Sequence, residues 1–201
     1  MAMGLSELYR DLFGLTDEPL IQRLTQLGEI RRLKKGHALY REGERPAKVG
    51  FLVQGLLRGY FLDAGGRDIT DCFAFEHGAP ANASIVLGEP ASINVEALED
   101  SQVLELPIVP LLELMEEWPQ LYRLYSAFLQ KALKCHWEVK AAMYQYDAMD
   151  RYQWFLRAYP GLHHRVSGKH IASFLGMTQV TLSRLRRILR ESGQLQIAQG
   201  E

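Results

Sequence analysis

One glutamine, two hydroxyls and four arginines lie along Gln179–Arg190 with no carboxylate among them: Gln179, Thr181, Ser183, Arg184, Arg186, Arg187 and Arg190. Every one of these side chains donates hydrogen bonds. Glutamine can bond adenine through two atoms at once, arginine can do the same to guanine, and Thr or Ser hydroxyls reach bases or phosphates. Ser167, Lys169 and Thr178 stand just upstream. From Gly161 to Arg190 there are six basic residues and no Asp or Glu, leaving 17 basic against 24 acidic side chains elsewhere. The formal net charge of −1 therefore hides a cationic segment on an acidic body. That polarity suits a polyanion partner, bound by local counterion release without a sticky whole surface. The expected chemistry is recognition of double-stranded DNA. Gln179, Thr181, Ser183 and Arg184 would lie nearest the bases, and Ser167, Lys169, Arg186 and Arg187 would mainly hold phosphates.

The elements that must position these groups can be read around them. Ser167 is a good N-cap for a short helix with Ile171, Ala172 and Leu175 on its inner face. Gly176 sits where a tight turn needs positive φ. Thr178 then caps a second helix, whose buried stripe would be Leu182, Leu185, Ile188 and Leu189. Free backbone N–H groups at both N-termini could hold phosphates. Helix, glycine turn and helix together form a helix-turn-helix pattern.

Upstream, Asp147–Tyr159 reads as an amphipathic helix stopped by Pro160-Gly161. Before it runs an apolar series, Leu121, Tyr125, Phe128, Ala132, Cys135, Val139, Ala142 and Tyr146, with alternating steps of four and three. This is a heptad seam, suited either to pairing with a second copy or to packing on its own domain. A domain boundary is expected near Tyr146. From Ile30 to Pro107, short apolar runs alternate with glycine-rich turns: Ala38–Tyr40, Gly50–Val53, Leu56–Leu62 and Val103–Leu106. Such spacing predicts a small antiparallel barrel or sandwich. Residues 5–28 read as helical, with Thr16 as a cap and Gly28 as the end.

Other chemistry finds little support. A metal-dependent cupin enzyme needs closely spaced histidines with a carboxylate, whereas the β-region holds only His37 and the distant His77. His163, His164 and His170 have no zinc spacing and read as surface or phosphate contacts. No nucleophile triad and no phosphate-binding glycine loop is present, so no enzyme and no catalytic residue is expected. Cys72 and Cys135 form neither a CxxC pair nor a disulfide framework, and they imply a reducing, cytoplasmic compartment. Cys135 reads as a small apolar residue of the seam. Trp118, Trp137 and Trp154 read as packing. The N-terminus does not resemble a secretory signal, and no run reaches 18 apolar residues.

Taken in order, these pieces resemble the Crp/Fnr superfamily of bacterial regulators over about 170 residues. Leu33-Lys-Lys-Gly36, Tyr40-Arg-Glu-Gly43-Glu44, Gln54–Arg58 and Leu62–Arg67 are similar to the early strands and turns of the family's cyclic-nucleotide-binding β-roll. Val95–Ser101 and Leu104–Pro107 are similar to its closing strands, and Ile171–Thr178 to its helix-turn-helix. The resemblance implies an α+β fold. A jelly-roll-like antiparallel β-roll sensor would span 1–118, a dimerisation helix 119–146, and a winged-helix-like DNA-binding domain 147–201. It implies a homodimer on a palindromic operator, with RNA polymerase and a small-molecule effector as further partners. The family's phosphate cassette carries Gly-Glu and Arg-Ser pairs. Here those positions are Ala81-Asn82 and Ala91-Ser92, so the effector pocket would be Asn82, Ala83, Ser84, Ala91 and Ser92. Loss of the cation and of the acidic acceptor argues against cyclic AMP, leaving another effector or none. No metal or other cofactor is expected. Gln179-Val180 replaces the Arg-Glu often found in the family, so the DNA sequence read should differ. Gly193–Glu201 leaves little room for a β-wing. The rival reading is a ligand-binding β-roll whose basic tail contacts a protein partner.

Overall fold

A computed structural model describes residues 4–81 and 83–192. Asn82 and the segment expected to bear a shortened wing, 193–201, lie outside the described residues. The chain divides into two units. Unit 1 comprises residues 4–61 and 71–131, and unit 2 comprises 62–70 and 132–192. The division therefore falls within the long helix, and the strand-connecting segment 62–70 joins the C-terminal unit.

Unit 1 begins with two helices where the sequence suggested one: α1 (Leu5–Phe13) and α2 (Glu18–Leu27). Gly14 breaks them apart with φ +64°, and the cap of α2 is Asp17, whose carboxylate accepts from the Leu20 N–H at 3.0 Å. Thr16 is one residue too early for that role. The strands follow: β1 (Glu29–Leu33), β2 (Ala38–Tyr40), β3 (Lys48–Gln54), β4 (Leu57–Leu62), β5 (Asp68–Ala74), β6 (Asn94–Ala97) and β7 (Ser101–Pro107). They form a three-stranded sheet in the order β1-β7-β3 and a four-stranded sheet in the order β2-β6-β4-β5. The β1–β7, β3–β7, β2–β6 and β4–β6 pairings are all antiparallel.

The three-stranded sheet is covered on both faces. Phe51, Leu104 and Leu106 pack with Leu8, Leu20, Leu24 and Leu111 of the helices, while Leu52 and Val103 pack with Leu33, Leu39, Leu57 and Val95 inside the roll. Strands buried on both faces read as continuous apolar runs, which is why β3 and β7 were visible in sequence. The weaker strands β1, β5 and β6 carry charged or polar residues at half their positions and were less so. A buried charged pair lies on the face of the four-stranded sheet opposite Leu57 and Val95: Arg58, 1% exposed, bonds Glu96 at 2.8 Å and lies 4.5 Å from the Tyr60 ring. A buried guanidinium requires such a partner.

After α3 (Ile108–Glu117), helix α4 runs over Pro119–Gln145. Its apolar series does not face outward as a unit. Leu121 is buried in the unit 1 core, Phe128 packs against that core, and Ala142 is 1% exposed. Cys135 Sγ lies 3.4 Å from the Tyr159 hydroxyl in unit 2. Tyr125 donates to the Ile85 carbonyl at 3.1 Å. Of the seam, Leu121 and Ala142 are buried, Tyr125, Phe128, Ala132, Cys135 and Val139 are half-buried, and Tyr146 is exposed. The exposed large apolar side chains of α4 are Tyr122, Leu133, Trp137 and Tyr144, on a different face, more than about 100° around the helix from the seam. Unit 2 is completed by α5 (Ala148–Ala158), α6 (Leu162–Arg165), α7 (Gly168–Phe174) and α8 (Gln179–Glu191). Among the described residues, no helix is long and apolar enough to cross a membrane.

Candidate nucleic-acid interface

The donor-rich segment folds as α7, a turn and α8. Ser167 Oγ accepts from the His170 N–H at 3.3 Å and starts α7. Ile171, Ala172, Phe174 and Leu175 are all buried. Phe174, not assigned to the inner face from sequence, joins an aromatic cluster with Trp154, Phe155 and Tyr159 at centroid distances of 5.4–6.4 Å. The turn closes with two backbone bonds, Met177 N–H to the Ala172 carbonyl at 2.9 Å and Gly176 N–H to Ser173 at 3.1 Å. This Schellman arrangement puts Gly176 in the left-handed region at φ +60°, where a Cβ would be strained. A Cβ there would also lie 3.2 Å from Met143 Cε of α4.

Thr178 Oγ1 accepts from the Thr181 N–H at 3.1 Å, and the two hydroxyls lie 2.9 Å apart. Helix α8 then anchors itself through Leu182, Leu185 and Leu189, all buried. Ile188 does not join them and is 48% exposed. At about 100° per residue it lies roughly 90° from the centre of that stripe, on its flank. The outward surface carries Gln179, Val180, Ser183, Arg184, Arg187 and Arg190, all exposed. Gln179, Ser183 and Arg184 therefore form a donor face without a carboxylate at the helix start. Thr181 is half-buried, its hydroxyl held beside the cap.

Two residues expected at phosphates are engaged within unit 2. Arg186 is half-buried; its Nε donates to the Tyr152 hydroxyl at 3.2 Å, and its guanidinium lies 6.0 Å from that ring. It follows Leu185 and sits on the inner side of α8, so its first role is packing rather than phosphate binding. Lys169 pairs with Asp68 at 3.0 Å. The same segment is fixed twice more: Ser173 Oγ accepts from the Thr70 N–H at 2.9 Å and donates to the Asp68 carbonyl at 3.2 Å. Asp68 is 101 residues from Lys169, so an acid-free window in sequence could not disclose it. Arg187 lies 3.9 Å from Glu191, both exposed, a pair that constrains it little. Seven residues of α7 make a weak dipole, so Ser167 acts here as a cap. The His163 and His164 rings lie 3.9 Å apart between centroids, tilted by 41°. Burial holds His163 below its ordinary pKa, and the charges of His164 and Arg186 add to this.

The residues matched to the nucleotide cassette lie in unit 1. Ala81, Ala83 and Ala91 are buried within the cluster of Leu39, Leu52 and Val95. Ser84 is half-buried, and Ser92 is exposed with its N–H bonded to the Ala83 carbonyl at 2.7 Å. Ala91, the position at which the resemblance implies the family's arginine, is thus a buried methyl within this cluster. Among the described residues, no three His, Cys, Asp or Glu side chains come together as a metal site. His77 instead bonds the Val53 carbonyl and Asp11, each at 2.7 Å.

Comparison with known proteins places these units. Residues 30–117 match the cyclic nucleotide-binding domain family. The transcriptional activator protein anr of Pseudomonas aeruginosa is 26% identical over 192 residues, spanning 86% of this chain and 77% of that protein. Among solved structures, FixK2 of Bradyrhizobium japonicum superposes with a TM-score of 0.74 at 22% identity, over 83% of this chain and 86% of that one. A Crp/Fnr-family regulator from Eubacterium rectale gives 0.71 at 18% identity, over 92% and 88%. At those identities the structural likeness establishes the fold alone.

Proposed function

We propose that the chain is a DNA-binding transcriptional regulator of the Crp/Fnr type that reads a two-fold operator as a homodimer, a reading supported by its likeness to the cyclic nucleotide-binding domain family and to transcriptional activators. The observation that carries this reading is the start of α8. Gln179, Ser183 and Arg184 are exposed together on a helix that is capped, anchored by three leucines and free of carboxylates over its first three turns. Such a helix suits the major groove, where Gln pairs with adenine and Arg with guanine. Val180, 62% exposed, can meet a thymine methyl. Thr178 and the α8 N-terminus, with Arg187 and Arg190, would hold phosphates. Lys169 joins them once it leaves Asp68.

The dimer would form through the exposed stripe of α4, Tyr122, Leu133, Trp137 and Tyr144, rather than through Leu121 and Ala142. Spacings of 11, four and seven residues keep these side chains on one helical face. RNA polymerase is the expected further partner of such a regulator. We infer that the effector is not cyclic AMP: in sequence Asn82 replaces the acidic acceptor and Ala91 the cation, and Ala91 is packed into the roll. Catalysis forms no part of the function.

The test is Arg184→Ala. Binding to the selected operator should weaken by roughly 1–3 kcal/mol, with relaxed preference at one base position. Wild-type affinity and preference in that variant would remove Arg184 from base reading.

A further inference from the structure

The first hairpin of unit 1 holds the chain's second concentration of positive charge. Residues 31–41 contain Arg31, Arg32, Lys34, Lys35 and Arg41, together with His37, and no acid. All six side chains are exposed. Two are neutralised locally: Arg31 pairs with the buried Glu105 at 3.2 Å, and Lys34 with Asp100 at 2.7 Å. Asp100 also accepts from the Lys35 backbone N–H at 3.0 Å. The side chains of Arg41 and His37 make no hydrogen bond or ion pair among the described residues. Between them opens a cavity of about 460 Å³, lined by Arg31, Gly36, His37, Arg41 and Glu44 along with the Ala38–Leu39 backbone. That volume is in the range of small-molecule sites.

We infer that this cavity binds a phosphorylated small molecule that also carries a hydroxyl or amine. Guanidinium forks match phosphate oxygens in pairs of hydrogen bonds, and two of them face one cavity here. Arg31 is pre-oriented by Glu105 and by the Ala38 carbonyl at 3.5 Å, so little ordering is lost on binding. Glu44 would repel a bare anion. A carboxylate at the rim instead accepts from a ligand hydroxyl or amine, which sets the ligand class. Arg31 and Glu105 lie on the strand faces that carry Leu33 and Val103, so the site adjoins the interior of the roll, in which the cassette positions Ala81 and Ala91 are packed. The two places are joined directly: Gly43 N–H bonds the Ala91 carbonyl, and Ala91 N–H bonds the Glu44 carbonyl, each at 2.8 Å. Cavity and ligand contacts belong to unit 1, so failure here would leave the DNA-reading role of unit 2 standing.

The test is calorimetric titration of the full chain with ribose 5-phosphate at low ionic strength, with inorganic pyrophosphate and citrate as comparators. Saturable binding of one ribose 5-phosphate per chain is expected. Arg41→Gln should weaken it about tenfold or more, as loss of a charge-assisted bond does. Glu44→Gln should lower the preference for ribose 5-phosphate over pyrophosphate, and Arg187→Gln on α8 should change nothing. Arg31→Gln would also unpair Glu105, so Arg41, which holds no other group, is the deciding position. No saturable binding, or equal binding by wild type and Arg41→Gln, would overturn the assignment. So would an Arg41→Gln effect confined to non-specific duplex DNA.

Discussion

Arg186 and Arg187 are neighbours in sequence with the same charge, yet the fold separates their roles. Arg186 is bonded to Tyr152 against α5, while Arg187 faces solvent beside Glu191. Arg187→Ala should weaken binding to all duplexes alike and reduce the salt slope by about one. Arg186→Ala should instead lower thermal stability, through lost packing and an unpaired tyrosine hydroxyl, while changing the slope less. Lys169 is a third case. In the free protein its ammonium is held by Asp68, so a DNA phosphate must displace a carboxylate to reach it. Asp68→Asn should therefore tighten binding to DNA by a few-fold at low salt, the gain shrinking as salt rises. Equal or weaker binding by that variant would show that the pair only orients α7. The donors at Gln179, Ser183 and Arg184 could be named from type and spacing alone. Asp68 and Tyr152 could not, because both reach the site through tertiary contacts over 101 and 34 residues.

At the level of elements, local signals were strongest where the chain must bond to itself nearby. Ser167, Gly176 and Thr178 each satisfy backbone groups within a few residues, and all three act as their types suggest. Gly176→Ala tests the turn. The left-handed conformation should cost about 1–2 kcal/mol, while the Met143 methyl can move to admit the new carbon. That corresponds to a fall in Tm of about 2–8 °C. An unchanged Tm would mean that the turn can adopt another geometry. Heptad spacing was a poorer guide along α4. Period alone says that one face is apolar, not whether that face meets its own chain or a second copy. Here Leu121 and Ala142 are buried by their own units, and the open apolar face of Tyr122, Leu133, Trp137 and Tyr144 lies more than about 100° around the helix from them. The start of Glu18–Leu27 was legible to within one residue, since a cap was expected at Thr16 and stands at Asp17, whereas the break at Gly14 was not read.

Across the whole molecule, charge is concentrated in two places with different geometry: a convex helix face in unit 2 and a concave pocket in unit 1. The first was found from the acid-free window before Arg190. The second lies in an equally acid-free run, Arg31–Arg41, whose meaning depends on the hairpin that folds it around a cavity. The strands form two antiparallel sheets, β1-β7-β3 and β2-β6-β4-β5, in which Ala81, Ala83 and Ala91 are packed among apolar side chains. A regulator of this kind joins a retained reading helix to an altered sensor. The most direct measurement of that claim is selection of bound sites from a pool of random duplex DNA by the purified full chain. Two inverted half-sites one helical turn apart, about 10 base pairs between centres, should emerge, differing from the sites of relatives at the positions facing Gln179 and Val180. Recovery of unenriched sequence, with no salt-dependent duplex binding, would contradict it.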